Sequence, residues 1–175
     1  MKRKTRGCAI LAAALSVAPG TALSAEADSL KEQVVGTWKL VSLVVNQGDR
    51  KVNLFGDNAR GIQIMTPDGR FANIITRESL PLYAGAKRMK GTAEEYTAIG
   101  QGSNALYGTY EVDEAEGIVT FNVEVSTFPN WEGETQRRKS VIDGDTWRYT
   151  NPMTAIGPGN VEVVWTRMEP ARPAD

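Results

Sequence analysis

Acid–base and nucleophilic chemistry has a restricted cast in this sequence, which holds no histidine and a single cysteine, Cys8, near its N-terminus. A His/Cys zinc site, a Ser-His-Asp triad and a Cys-His pair are therefore excluded, and any acid or base must be Asp, Glu, Lys or Tyr. No Gly-rich phosphate loop follows a strand and opens a helix, so a nucleotide cofactor lacks support, and with the His/Cys zinc site excluded neither a cofactor nor a metal is expected. The densest polar run is Glu134-Thr135-Gln136-Arg137-Arg138-Lys139-Ser140. If it is a strand, both of its faces are polar, and at least one charged or amide side chain must point inward. One reading sets Arg137 or Gln136 against a polar ligand group, balanced by Glu124 or Asn122 on the preceding strand, because an unpaired inward Arg is too costly. The other is an edge strand whose charges stay in water. Glu124, within an apolar run, could be a desolvated base. Alternation, however, puts it with Asn122 on the face opposite Val119, Phe121, Val123 and Val125, which favours solvent for both. Tyr83, Tyr96, Phe128 and Trp131 suit a binding mouth, since such rings offer apolar area with, in Tyr and Trp, one polar atom. Tyr107 and Tyr110 lie on opposite faces of one strand, so only one can line a cavity. The candidate ligand contacts are Tyr83, Tyr96, Tyr107, Asn122, Glu124, Trp131 and Arg137.

The elements that must position these residues read as short alternating runs broken by turn residues, the pattern of an all-β sandwich or barrel. Eight candidate strands cover residues 37–45, 61–65, 70–76, 105–112, 118–125, 134–142, 146–150 and 161–168. Eight is about the number that closes a barrel around a filled interior or one small ligand. The first run puts Trp38, Leu40 and Val44 on one face. Thr66-Pro67-Asp68-Gly69 predicts a tight turn, because Pro presets φ, Asp bonds its own backbone and Gly tolerates positive φ. Thr92 and Glu95 form a capping box, which predicts one short amphipathic helix through Tyr96 and Ile99, ending near Gly100 or Gly102. Inserted between two hairpins, it is placed to cover an open end as a lid. The irregular stretch from Glu78 to Met89 is expected to be a loop.

At the N-terminus Lys2, Arg3, Lys4 and Arg6 precede an apolar run from Cys8 to Ala18, then Pro19, Gly20 and small residues. That is the three-part pattern of a secretory signal peptide, and its apolar part is shorter than the roughly 20 residues that span a bilayer. The expected organisation is a leader over residues 1–25, cleaved near Ala25 or Ala27, and one domain over 26–175. Export to the periplasm or beyond follows. Removing residues 1–25 takes away four Lys/Arg and no Asp/Glu, so the formal net charge falls from −1 to −5. A modestly acidic product argues against nucleic acid and anionic membranes as partners, with no membrane insertion expected after the leader is lost. Cys8 leaves with the leader, so no disulfide is expected. A domain of about 150 residues can bury an adequate core without one.

Gly36-Thr37-Trp38, following a short helical turn, is similar to the Gly-x-Trp element that opens the first strand of lipocalins. With Lys39-Leu40-Val41-Ser42, Thr66-Pro67-Asp68-Gly69-Arg70, Tyr107-Gly108-Thr109-Tyr110, Pro129-Asn130-Trp131-Glu132-Gly133 followed by Gln136-Arg137, and the terminal Val164-Trp165-Thr166-Arg167, the chain resembles the bacterial and fungal lipocalin-like domain family from about Leu30 to Met168. The resemblance implies an eight-stranded antiparallel lipocalin-like barrel. It also implies that Arg167 packs across the Trp38 indole beside Gly36 to close one end, as a planar guanidinium can. Members often carry His where this chain has Phe121 and Asn122, so any His-dependent activity of relatives does not transfer. The functional expectation is an exported protein that binds an apolar or amphipathic small molecule inside the barrel. A cofactor-free cyclase or isomerase is the alternative, and a protein-binding module a third reading. An open cavity with few inward charges favours carriage, whereas a closed one with a paired Arg–Glu or Tyr–Glu set favours catalysis.

Overall fold

The computed structural model describes residues 28–152 and 154–170, so the expected leader and its cleavage region lie outside the described residues. The alternating runs form β1 (Gly36–Gln47), the short β2 (Arg50–Val52), β3 (Arg60–Met65), β4 (Arg70–Thr76), β5 (Ser103–Asp113), β6 (Ile118–Ser126), β7 (Thr135–Asp143), β8 (Thr146–Asn151) and β9 (Asn160–Arg167). Every neighbouring pair is antiparallel, and β9 pairs back onto β1 from Trp38↔Arg167 to Asn46↔Asn160. Eight strands therefore close into an antiparallel barrel. β2, which the sequence reading did not resolve, folds back on the end of β1 outside the ring.

Two bulges decide which residues face inward. The β1–β9 register shifts between Leu40 and Ser42, leaving Val41 55% exposed. An extra residue in one strand reverses its alternation, so Leu43 and Val45, rather than the expected Val44, continue the core face of Trp38 and Leu40. On β5 and β6, Tyr107 pairs with Val125 but Gly108 pairs with Val123, skipping Glu124. Beyond that point Val125 turns outward and Ser126 inward, reversing the expected placement of Val125. Gly108 is required there, because a Cβ would lie 2.0 Å from the carbonyl oxygen of Asn122.

One end of the barrel is filled with rings. Trp38, Trp147, Trp165 and Phe121 are all fully buried, with Trp38 edge-on to Trp147 at 5.3 Å and Phe71 edge-on to Phe121 at 4.8 Å. The helix α1 (Leu30–Val34) lies across this end. It starts at Ser29 with a capping box, and Glu114 in the β5–β6 turn accepts from the Leu30 and Lys31 amides at 2.9 and 2.7 Å. Its C-terminal carbonyls, which lack helical donors, are taken up by the barrel. Trp38 Nε1 donates to Val34 O at 2.9 Å. Arg167 Nη1 and Nη2 donate to Val35 O and Gln33 O at 2.9 and 2.7 Å, while its Cζ sits 4.1 Å from the Trp38 ring centroid.

The second helix, α2 (Ala93–Gly102), begins with the expected capping box. Thr92 Oγ1 accepts from Glu95 N at 3.2 Å and Glu95 Oε2 from Thr92 N at 2.9 Å. Among the described residues no helix is long and apolar enough to cross a membrane.

Two substitutions test this account of the closed end and the bulge. Trp38→Ala should destabilise by about 3–5 kcal/mol. Gly108→Ala should cost about 1–3 kcal/mol, because backbone rather than a flexible side chain must move. Urea unfolding midpoints at unchanged m-value measure both.

Candidate functional site

Beyond the ring-filled end the barrel is hollow. A cavity of about 430 Å³ is walled by Leu43 and Val45 of β1, Ile75 of β4, Leu106 of β5 and Val161 and Val163 of β9. Gly100 and Gln101, at the C-terminal end of α2, reach its lining, as do Leu54, Phe55, Phe128, Trp131, Ala155 and Ile156 from loops. The exposed members of this set, among them Gly100, Gln101, Ala155 and Ile156, place the mouth at the end opposite α1.

Trp131 is held by its connection. Residues Pro129–Trp131 form a 3₁₀ turn, Phe128 N donates to Ser126 Oγ at 3.0 Å, and Ser126 N to Glu132 Oε1 at 3.2 Å. Phe128 and Trp131 then meet edge-to-face at 5.3 Å.

The inner cavity wall is polar. Asn73, Arg138, Tyr149 and Asn151 line it, all of them buried. On the β7–β8 side Arg138 Nη1 donates to Tyr149 Oη at 2.9 Å and Nη2 to Gln136 Oε1 at 2.8 Å. Asn151 Nδ2 donates to the same Gln136 oxygen at 3.3 Å. On the β3–β4 side, Asn73 Nδ2 donates to Gln63 Oε1 at 3.0 Å, and Gln63 Nε2 to Met65 Sδ at 3.3 Å. The Arg138 guanidinium lies 3.9 Å from the Phe121 ring centroid and 4.8 Å from that of Tyr149.

Arg138 is 5% exposed, and among the described residues no carboxylate forms a salt bridge with it. Burial draws its pKa down from the ordinary value. An arginine starts so high that it keeps its charge at neutral pH. Desolvated cation–π contacts are worth about 2 kcal/mol each, whereas burying an ion costs several kcal/mol. The rings and neutral acceptors thus offset only part of the cost. Two donors of this cluster, Arg138 Nε and Gln136 Nε2, have no acceptor among the described residues.

The structure distributes the sequence candidates unevenly. Trp131 lines the cavity. Arg137 is exposed, so of the two alternatives on that strand Gln136 points inward, accompanied by Arg138. Asn122 faces away from the core and accepts from Thr135 Oγ1 at 3.0 Å, and Glu124 reaches Arg70 on the outside at 3.6 Å. Neither balances an inward Arg. Tyr107 is on the outer face and Tyr110 is buried, its hydroxyl donating to Thr66 O at 2.8 Å. Tyr83 and Tyr96 pack on each other at 5.7 Å outside the cavity lining. The Tyr96 hydroxyl donates to Arg88 O and accepts from Gly91 N, which fixes the loop before α2.

Asn73, Arg138, Tyr149 and Asn151 were not among the sequence candidates. A signal for three of them exists. Gly144-Asp145 is a two-residue hairpin loop that pairs Ile142 with Trp147 and Ser140 with Tyr149, so an inward Trp147 carries Tyr149, Asn151 and the Gln136-Arg138-Ser140 face inward with it.

A family model of the lipocalin-like domain matches residues 35–168. No curated protein matches the chain.

Because Arg138 is a buried cation with no carboxylate partner among the described residues, Arg138→Met should leave the ligand-free protein at least as stable in thermal melts. Arg137→Ala should change stability by less than about 0.5 kcal/mol, as for a surface position.

Proposed function

The chain belongs to the lipocalin-like domain family, and from that premise we propose that it is an exported protein that binds an amphipathic small molecule inside its barrel. The observation that carries this reading is the cavity itself, whose apolar walls lead to a polar cluster at Asn73, Arg138, Tyr149 and Asn151. Its volume of about 430 Å³ falls within the roughly 300–1,000 Å³ of small-molecule sites, which share this pattern of many apolar contacts and a few placed polar ones. Phe128 and Trp131 supply flat apolar surface at the entrance.

Carriage is favoured over a cyclase or isomerase by what lines the cavity. Among the described lining residues the titratable side chains are Arg77, Arg138 and Tyr149. No carboxylate stands there to take a proton from a bound substrate. Export rests on the basic, apolar and small-residue sequence of residues 1–25, and is tested by fusing that segment to a reporter active only outside the cytoplasm.

The binding reading is tested with a neutral, environment-sensitive naphthylamine dye and the mature chain. The dye should saturate a single site. Leu106→Trp, which places an indole into the cavity from β5, should weaken dye binding at least tenfold while the far-UV spectrum stays that of the native barrel. Failure of the native protein to take up dye saturably would overturn the reading.

A further inference from the structure

We infer that the cavity is selective for a monoanionic oxyanion, a carboxylate carried on an apolar body and seated at Arg138. This rests on the binding reading above and names the class of ligand.

The inference begins with charge balance. Arg138 is buried and lines the cavity, and every neighbour that orders it is uncharged: Tyr149, Gln136 and the Phe121 ring. A guanidinium has five N–H donors. Two are engaged, one each from Nη1 and Nη2, and Nε has no acceptor among the described residues. A cation held out of water with donors to spare is stabilised most by an anion that brings acceptor oxygens with it. The neighbouring Gln136 Nε2, also without an acceptor among the described residues, is an uncharged donor in the same cluster.

The lining as a whole has one sign. Its charged side chains among the described residues are Arg138 within and the exposed Arg77 near the mouth, although the chain without residues 1–25 carries a formal charge of −5. The positive potential is thus local to the cavity, where low-dielectric walls focus it toward an entering anion.

The number of charges then selects among anions. One buried cation balances one negative charge. A dianionic phosphate would leave a charge uncompensated, and a neutral carbonyl or alcohol would leave the guanidinium so. A carboxylate matches both the charge and the planar two-donor geometry of arginine. The apolar walls formed by Leu43, Val45, Ile75, Leu106 and Val163 take the remainder of the molecule.

The test displaces the naphthylamine dye at neutral pH with dodecanoate, dodecanol and dodecylammonium, which differ only in the head group. Dodecanoate should displace at concentrations at least tenfold below dodecanol, and dodecylammonium should be weakest. Arg138→Met should bring acid and alcohol together, Arg138→Lys should keep an intermediate preference through its charge, and the outward Arg137→Met should leave the native order intact. Equal displacement by acid and alcohol on the native protein overturns the inference while leaving the cavity reading standing. So does an acid preference that survives in Arg138→Met. If that variant does not fold, the native series and Arg138→Lys decide. A native protein that binds neither dye nor any of the three compounds overturns both readings.

Discussion

The barrel depends on what happens to three carbonyls. Gln33, Val34 and Val35 stand where α1 ends, and the acceptors there have no further turn of helix to bond them. Arg167 serves two of them and Trp38 the third. Those two residues also face each other as cation and ring and are partners across the β1–β9 seam. Seam, plug and helix are consequently one unit. Gly36 is part of it, since its φ of +134° suits glycine and a Cβ would lie 2.9 Å from Arg167 Nη1.

From this end the interior changes character along a column of rings. Trp38 meets Trp147 and Trp147 meets Tyr149, each edge-on at slightly over 5 Å, and Tyr149 meets the second inward guanidinium, that of Arg138. One arginine caps the column toward the outer layer, where two carbonyls accept from it and the Asp145 carboxylate lies 3.7 Å from its Nε. The other stands where the packed rings give way to the cavity, and it has donors to spare. The first is engaged at the closed end and the second lines the cavity, although both rest on aromatic faces. The barrel is filled with rings at one end and keeps a cavity at the other, and the polar layer marks the division.

Much of the architecture was legible because it rests on local chemistry. The Thr66–Gly69 turn, the Thr92–Glu95 capping box and the period-two runs each act within a few residues, and the structure has them where the sequence places them. The runs alone fit a sandwich or a barrel, and it is the resemblance carried by Gly36-Thr37-Trp38 and the later motifs that implies the lipocalin-like barrel. The inner faces were less legible because two bulges reverse the alternation midway along strands: Val44 and Val125 each fall on the wrong side of a one-residue insertion, and only Gly108, an isolated glycine within a strand, signals one of the two. The site suffered most. Along β7 adjacent polar residues differ only in parity, so Arg137 and Arg138 are indistinguishable until the partner hairpin is registered from Trp147. Tyr83 and Tyr96 do lie together in one loop-and-helix unit, but their rings and hydroxyls are spent on holding that unit in shape.

Closing the ring at β1 and β9 also has a colloidal consequence. A strand edge is a template for another chain, and Val161-Glu162-Val163-Val164-Trp165 in β9 is the kind of β-branched, aromatic segment that joins such edges readily. While the seam is shut, its backbone groups are bonded on both sides, to β8 and to β1. β2, which lies outside the ring, is three residues long, and two of them are the exposed cations Arg50 and Lys51, which make it a poor template. Pairing of β9 with β1 therefore also removes this segment from the free strand edges on which another chain could build.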